Sequence, residues 1–372
     1  MTLRDFIRLF RLGLQGSVCL SFLLSGVLKA QVNSNEAVNL VVQLEGRGSV
    51  KRQGWTGSAP LVFGTALRAG DLIDLGQSSH AKVVCSDLTL HDVPGGIGGV
   101  PCSPSRGVLR RENGSLINAT RGWPSDGSMP VVVSPRKTKL LSSHPTLRWT
   151  PVTGATTYRV TVRSQNLYWQ TIVSKATQVV YPDAAPRLEP GVDYKLIVEA
   201  NDKSSSDYPG LGLGFSLLLS KDRKTVLEGQ KQIEKLQLPE GPTQFLVAHL
   251  YTEYGLYAEA IERLEGISDK FGVAAVRRLL GDLYMNIGLA RQAEADYLNS
   301  LELSKSENDD EGQMLDHKAL EYIYQQILGN KEAAGEQLNA TLDLAKKLGD
   351  DLTASQAGKQ LAELKASAPN LN

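Results

Sequence analysis

The sequence is poor in the residues that build most reactive centres. Three cysteines and five histidines in 372 residues leave little material for a zinc ribbon or a multi-histidine metal site. No HExxH, no GxSxG and no cysteine–histidine pair at a catalytic spacing occurs. Aromatic residues make up only 6 %, and 40 lysines and arginines are matched by 40 aspartates and glutamates, so no global basic surface exists to hold nucleic acid. Long apolar runs are missing apart from one N-terminal stretch, which excludes a polytopic membrane protein. What is present, 41 % apolar and 22 % charged residues, is the composition of a globular chain with room for two to four domains. These absences argue against an enzyme, and no catalytic residue, cofactor or metal is assigned.

The balanced charge conceals unequal parts. Residues 1–30 carry +3, residues 31–220 carry +5, and residues 221–372 carry −8. Such a split can draw the middle of the chain onto its C-terminal part, or pair two chains, or be ordinary surface variation under physiological screening. The opening MTLRDFIRLFRLGLQGSVCLSFLLSGVLKAQ has the layout of an export signal: Arg4, Arg8 and Arg11, an apolar core from Leu12 to Leu28, and Ala30 before Gln31. The expectation is a signal peptide over residues 1–30. Retention as an N-terminal membrane anchor is the alternative, because the apolar stretch reaches the short limit of a span, about 17–25 residues. Removing the signal leaves Cys85 and Cys102. An even count in an exported chain suggests one disulfide across a loop of roughly 17 residues. Two buried thiols are the other reading.

Three kinds of text follow. From 37 to 121, short strand-like runs (NLVVQL, GSVKRQ, APLVFG, DLIDLG, AKVVCS) alternate with Gly, Asp and Ser. The fragment Gly64-Thr-Ala-Leu-Arg-Ala-Gly-Asp71-Leu-Ile, with EGRGSVKRQGW before it and SSHAKVVCSD after it, resembles the FecR-like domain of bacterial envelope proteins. That resemblance implies a small β-module facing the periplasm or the exterior. Signalling members of the family carry a cytoplasmic tail that handles a sigma factor, whereas about eleven residues precede the apolar stretch here. The cluster Gly95-Gly96-Ile97-Gly98-Gly99 lacks the Lys-Ser/Thr of a phosphate loop and is expected to be a flexible loop. Arg106, Arg110, Arg111 and Arg121 read as a solvated basic run, or as a contact to an acidic cell-envelope polymer. Asp71 with Asp74 flank a turn, and Asp309 with Asp310 fall in the acidic loop SKSENDDEG, expected to be solvated.

Over 130–220, HPTLRWTPVTGATTYRVTV reads as strand, turn, strand, with Leu147 and Trp149 and then Tyr158, Val160 and Val162 alternating inward. Leu188-Glu-Pro-Gly-Val-Asp-Tyr194 has the spacing of a tyrosine corner. Trp149 and this corner resemble a fibronectin type III domain, which implies a spacer or binding sandwich. The stretches near 122–130 and 201–212 are candidate hinges.

Over 221–366 the apolar spacing becomes helical and prolines nearly vanish. Leu246-Val-Ala248…Tyr251…Gly255…Ala260 aligns with Leu279-Leu280-Gly281…Tyr284…Gly288…Ala293, the turn glycines 33 residues apart. This resembles the tetratricopeptide repeat, whose usual period is about 34. Helices are expected over 221–236, 312–328, 331–348 and 351–366 besides the two aligned hairpins. The fold class is therefore multidomain β + α, two small all-β modules followed by an all-α solenoid of tetratricopeptide-type helical hairpins. The resemblance carries that family's groove positions onto Phe245, His249, Thr252 and Glu253 of the first unit and Arg278, Asp282, Met285 and Asn286 of the second. It implies a protein or peptide partner. The family's clamp for a terminal carboxylate is absent. The reading from sequence is a non-enzymatic exported scaffold or adaptor, with an envelope sensor of FecR type as the alternative. The mature chain isolated from its host is expected to begin at Gln31, and N-terminal sequencing checks this: a chain starting at Met1 refutes cleavage.

Overall fold

A computed structural model describes residues 38–103, 109, 127–207 and 213–366, all within one unit of the chain, residues 34–372. The signal peptide or anchor expected over residues 1–30 and the arginine run, Arg106, Arg110, Arg111 and Arg121, lie outside the described residues. The architecture is β-modules first and an all-α region after them.

The first module holds β1 (Asn39–Glu45), β2 (Gly48–Lys51), β3 (Ala59–Pro60), β4 (Ala66–Leu67), β5 (Leu72–Leu75), β6 (His80–Val84), β7 (Leu90–Val93) and β8 (Gly96–Gly99). They form two antiparallel sheets in the orders β4-β1-β6-β7 and β3-β2-β5-β8. Period-two alternation sets their faces: in β5, Leu72 and Asp74 face out while Ile73 and Leu75 join Val41, Val50 and Val83 inside. The glycine cluster expected as a flexible loop is instead a strand. Residues Gly96–Gly99 pair with β5, from Leu75↔Gly96 to Leu72↔Gly99. Two constraints hold it there. Gly95 packs so closely that a Cβ would lie 2.5 Å from the Gly76 carbonyl oxygen. Beyond the strand, Cys102 is bonded to Cys85 at the end of β6, with Cα atoms 5.5 Å apart.

The second module is a sandwich of β9 (Val132–Ser134), β10 (Thr138–Leu140), β11 (Thr146–Trp149), β12 (Thr157–Arg163), β13 (Tyr168–Ser174), β14 (Gln178–Val180), β15 (Asp193–Ala200), β16 (Ser204–Ser205) and β17 (Phe215–Leu217). One sheet runs β14-β11-β9 and the other β10-β17-β15-β12-β13, with β16 paired to β15. Leu147, Trp149, Tyr158, Val160, Val162, Leu196 and Val198 are buried together between them. The Tyr194 hydroxyl accepts a 2.7 Å hydrogen bond from the Glu189 N–H, which closes the corner. Residues 201–207, in a stretch expected to hinge, are tied to the sheet by β16.

Eight α-helices complete the described chain: α1 (Ser220–Lys235), α2 (Glu240–Glu253), α3 (Tyr257–Phe271), α4 (Ala274–Asn286), α5 (Ala290–Ser306), α6 (Asp310–Tyr322), α7 (Lys331–Leu348) and α8 (Asp351–Ala366). Gly255 (φ +70°) and Gly288 (φ +75°) turn α2 into α3 and α4 into α5 in left-handed backbone that disfavours other residues. Close nesting follows from small side chains: a Cβ on Gly281 would lie 2.7 Å from the Tyr297 ring. The third hairpin departs from this pattern. Here α6 widens into a π-helical turn, Ile323–Leu328, before Gly329 reverses the chain. The acidic loop ahead of α6 is not solvated throughout. Asp309 is buried and accepts a 2.9 Å bond from the Gly312 N–H as the N-cap of α6.

The modules are not beads on a string. Phe63, in the turn after β3, packs against Phe245 of α2 and Phe271 of α3, with ring centroids 5.0 and 4.8 Å apart. The inner face of the first module shares its core with Met314 of α6 and Ala345 and Leu348 of α7. Arg52, 4 % exposed, bonds Asp71 within its own module and Glu311 of α6 at 2.7 Å. The sandwich docks on the helix turns. Lys139 donates its N–H to Gly255 O (2.8 Å), Arg136 Nε to Ile287 O (2.8 Å), and Arg148 bonds both oxygens of Glu265 (2.7 and 3.2 Å). The basic middle of the chain thus meets its acidic end. Truncating one member of a buried ion pair strands the others without water, so Arg52→Ala is expected to cost about 3–5 kcal/mol in urea unfolding. A loss below about 1 kcal/mol would refute a buried latch.

Candidate binding groove

The eight groove positions expected from sequence are split by the structure. Phe245 and Met285 are buried in the core that the helices share with the first β-module. Phe245 meets Phe63 on one side and the edge of the His249 ring, 4.6 Å away, on another. The Thr252 hydroxyl donates to the carbonyl of Ala248 in its own helix at 2.8 Å. Glu253 and Asn286 sit half-buried at the ends of α2 and α4. The chain's own β-module therefore covers the phenylalanine expected to anchor a partner.

Arg278 and Asp282, one turn apart on α4, face elsewhere. They form one wall of a cavity of about 330 Å³. A second wall is α6, through Leu315, Lys318, Ala319 and Tyr322. The third is α8, through Thr353, Gln356, Ala357 and Gln360. Residues at i, i+3, i+4 and i+7 fall on one helical face, which is why these four residues of α6 and four of α8 turn to the same space, with Glu321 of α6 beside them. Tyr297 of α5 and Leu338 and Thr341 of α7 also line it. The Thr341 hydroxyl is buried and has no hydrogen-bond partner in the structure.

Electrostatics make one wall rigid. Arg278 donates from Nε to Asp316 Oδ1 (2.8 Å) and from Nη2 to the Ser304 hydroxyl (2.8 Å), with Asp309 3.8 Å away. Burial alone would lower the guanidinium pKa, but the attraction of Asp316 and then Asp309 outweighs it and leaves it raised. Burial pushes the Asp316 carboxyl up, and Arg278 and the Ser300 and Ser304 hydroxyls pull it back. On the same wall the Tyr297 hydroxyl donates to Asp282 Oδ1 at 2.7 Å. Lys318 and Glu321 add one charge of each sign from α6. The cavity is thus bipolar at its rim, apolar at Leu315, Tyr322 and Leu338, and lined with amides and hydroxyls on α8. Among the described residues, no group of three or more His, Cys, Asp or Glu is placed to hold a metal ion.

Of the residues lining this cavity, Arg278 and Asp282 were named from sequence, and Lys318, Tyr322, Thr341, Gln356 and Gln360 were not. The signal was present as the i, i+3, i+4, i+7 spacing in α6 and α8. It was obscured because the third hairpin lacks the tight Gly–Ala pairing of the first two.

A second cavity, about 460 Å³, opens between α2, α3 and the residues after β10, with Gln244, Tyr251, Glu259, Glu262 and Arg263 in its lining. Arg263 bonds Gln244 (2.7 Å) and lies over the Tyr251 ring at 4.9 Å. Glu259 Oε1 accepts the N–H groups of Leu141 (2.7 Å) and Ser142 (3.5 Å), so this carboxylate joins sandwich to helices.

No family model matches this chain, and no curated protein matches it. Among solved structures, the one titled "Crystal structure of BtubC (BKLC) from P. vanneervenii" is similar at 18 % identity over 41 % of this chain and 77 % of that chain, with a TM-score of 0.20. A likeness at that score carries no argument about fold or activity.

Burial raises the Glu259 carboxyl from its ordinary 4.5 to about 7, against the pull of its backbone donors. An acid raised on folding binds more protons in the folded state between those two values, so its contribution to stability falls as pH rises through that window. Glu259→Gln keeps a neutral acceptor in place. The variant is expected to match the wild type near pH 5 and to exceed it by up to about 3 kcal/mol at pH 8, measured by urea unfolding at both pH values. Parallel pH profiles for the two proteins would refute this assignment.

Proposed function

We propose that the chain is a non-enzymatic, exported scaffold that holds an extended segment of a partner protein in the groove between α4, α6 and α8. In this reading the helical region is of tetratricopeptide type. The first module is FecR-like and the sandwich is fibronectin type III-like. Both act as docked supports of the array, not as free spacers.

The cavity carries the reading. Three helices offer one face each to a common space, as stacked helix pairs do on their inner curve. Gln356 and Gln360 are one turn apart, about 6 Å along α8. Two residues of an extended chain span about 6.6 Å, so the two amides can meet successive main-chain groups on one side of a peptide. The buried Thr341 hydroxyl leaves a donor and acceptor at the floor for a side chain of that peptide. Arg278 is pre-set by Asp316, which lowers the ordering cost of binding. The disulfide supports an oxidising compartment, since such bonds rarely persist in a reducing cytosol. No helix among the described residues is long and apolar enough to cross a membrane.

Selection of random linear peptides on the full chain tests the groove. Enriched peptides are expected to lose at least tenfold in affinity to the Gln356→Ala/Gln360→Ala variant and to be unaffected by Lys359→Ala, on an exposed position of the same helix. Thr341→Val is expected to weaken the same peptides without lowering the melting temperature, because it removes a buried hydroxyl that has no partner in the structure. No enrichment, or enriched peptides indifferent to the α8 variants, would sink the proposal.

A further inference from the structure

The larger sheet of the sandwich leaves one edge open among the described residues. Its five-strand path ends at β10 on one side and β13 on the other. The β10 edge is closed by the helices: Lys139 gives its N–H to Gly255 O, and Thr138 Oγ1 accepts from the Ala258 N–H and lies 3.1 Å from Gly255 O. Nothing described covers β13, which pairs only with β12. Natural edge strands are commonly blunted by lysine, proline, a bulge or shortness. β13, Tyr-Trp-Gln-Thr-Ile-Val-Ser, has no charge and no proline, and its register with β12 runs unbroken through seven pairs.

Its free main-chain groups can be assigned. Just outside the strand, Ser164 N–H bonds Leu167 O (2.8 Å) and Lys175 N–H bonds Thr156 O (3.0 Å), both continuing the β12–β13 register. Hydrogen-bonded pairs recur every second residue in an antiparallel ladder. Trp169, Thr171 and Val173 therefore turn their N–H and C=O toward β12. Tyr168, Gln170, Ile172 and Ser174 turn theirs outward. These same residues carry the exposed side chains of the strand, with Tyr168 at 66 % and Ile172 at 65 %.

We infer that β13 pairs antiparallel with β13 of a second copy of this chain, about a two-fold axis through Gln170. The spacing selects the occupant. In that register Gln170 faces its own counterpart, and each Tyr168 faces Ile172 of the other copy. Each exposed tyrosine thus gains a β-branched neighbour directly across the strands, a favourable cross-strand pair, and it does so twice by symmetry. All the outward main-chain groups of Tyr168, Gln170 and Ile172 find partners. The two sheets become one continuous sheet. The inference is independent of the groove.

Sedimentation of the full chain over a hundredfold dilution tests it. The wild type is expected to pass from dimer to monomer, and Ile172→Lys to stay monomeric with the melting temperature of the dilute wild-type monomer, since that side chain is largely exposed in its own copy. The register has its own test. Hydrogen-bonded partners lie about 5.5 Å apart at Cα, within disulfide range, so Gln170→Cys is expected to cross-link two chains under mild oxidation while Ser174→Cys is not. A wild type that stays monomeric at the highest concentration, a dimer indifferent to Ile172→Lys, or cross-linking at Ser174→Cys instead of Gln170→Cys would each overturn the inference.

Discussion

The interaction on which most of this architecture depends is the buried guanidinium of Arg52. It reaches from β-structure to α6, holding Asp71 on one side and Glu311 on the other. Three charges removed from water have little to gain unless each is bonded, and here each is. The desolvation that would lower the Arg52 pKa is exceeded by Glu311 and Asp71, which leave it raised. A two-residue shift of the module along the helices would leave Glu311 buried without its partner. The pairing therefore fixes where the first module sits, and with it the placement of Phe63 over Phe245.

That placement reassigns the inner face of the helices. Its N-terminal portion, around Phe245 and Met285, becomes core, and its C-terminal portion, between α4, α6 and α8, stays open. The two portions touch through the N-cap and first two turns of α6. There Glu311 belongs to the latch, while Asp309 and Asp316 belong to Arg278 and the cavity. Cavity wall and module interface draw on one segment of eight residues, Asp309 to Asp316, which ties the shape of one to the integrity of the other.

The periodic parts of the fold were legible before any coordinates. Trp149, Tyr158 and Tyr194 announced the sandwich because alternation and a tyrosine corner are local patterns. Gly255 and Gly288 announced two hairpins because a left-handed turn admits few other residues. What was not legible was tertiary. Gly96–Gly99 reads as a loop by composition and is a strand because β5 and a disulfide hold its ends. Asp309 and Glu311 read as solvated charge and are buried because Arg278 and Arg52, far off in sequence, meet them. Phe245 looked available because nothing local says that Phe63 will arrive.

The shared core also bears on when this protein can finish folding. Val41, Ile73 and Leu75 complete their packing on Met314, Ala345 and Leu348. A chain that emerges from its N-terminus, whether from the ribosome or through a membrane, delivers those last three side chains some 240–300 positions after the first three. Until then the early sheets present an apolar surface with no lining. Loop closure over such a separation is slow, and the waiting intermediate is adhesive. The disulfide between Cys85 and Cys102 closes locally and needs none of the distant residues, so it can hold the early strands together through that interval.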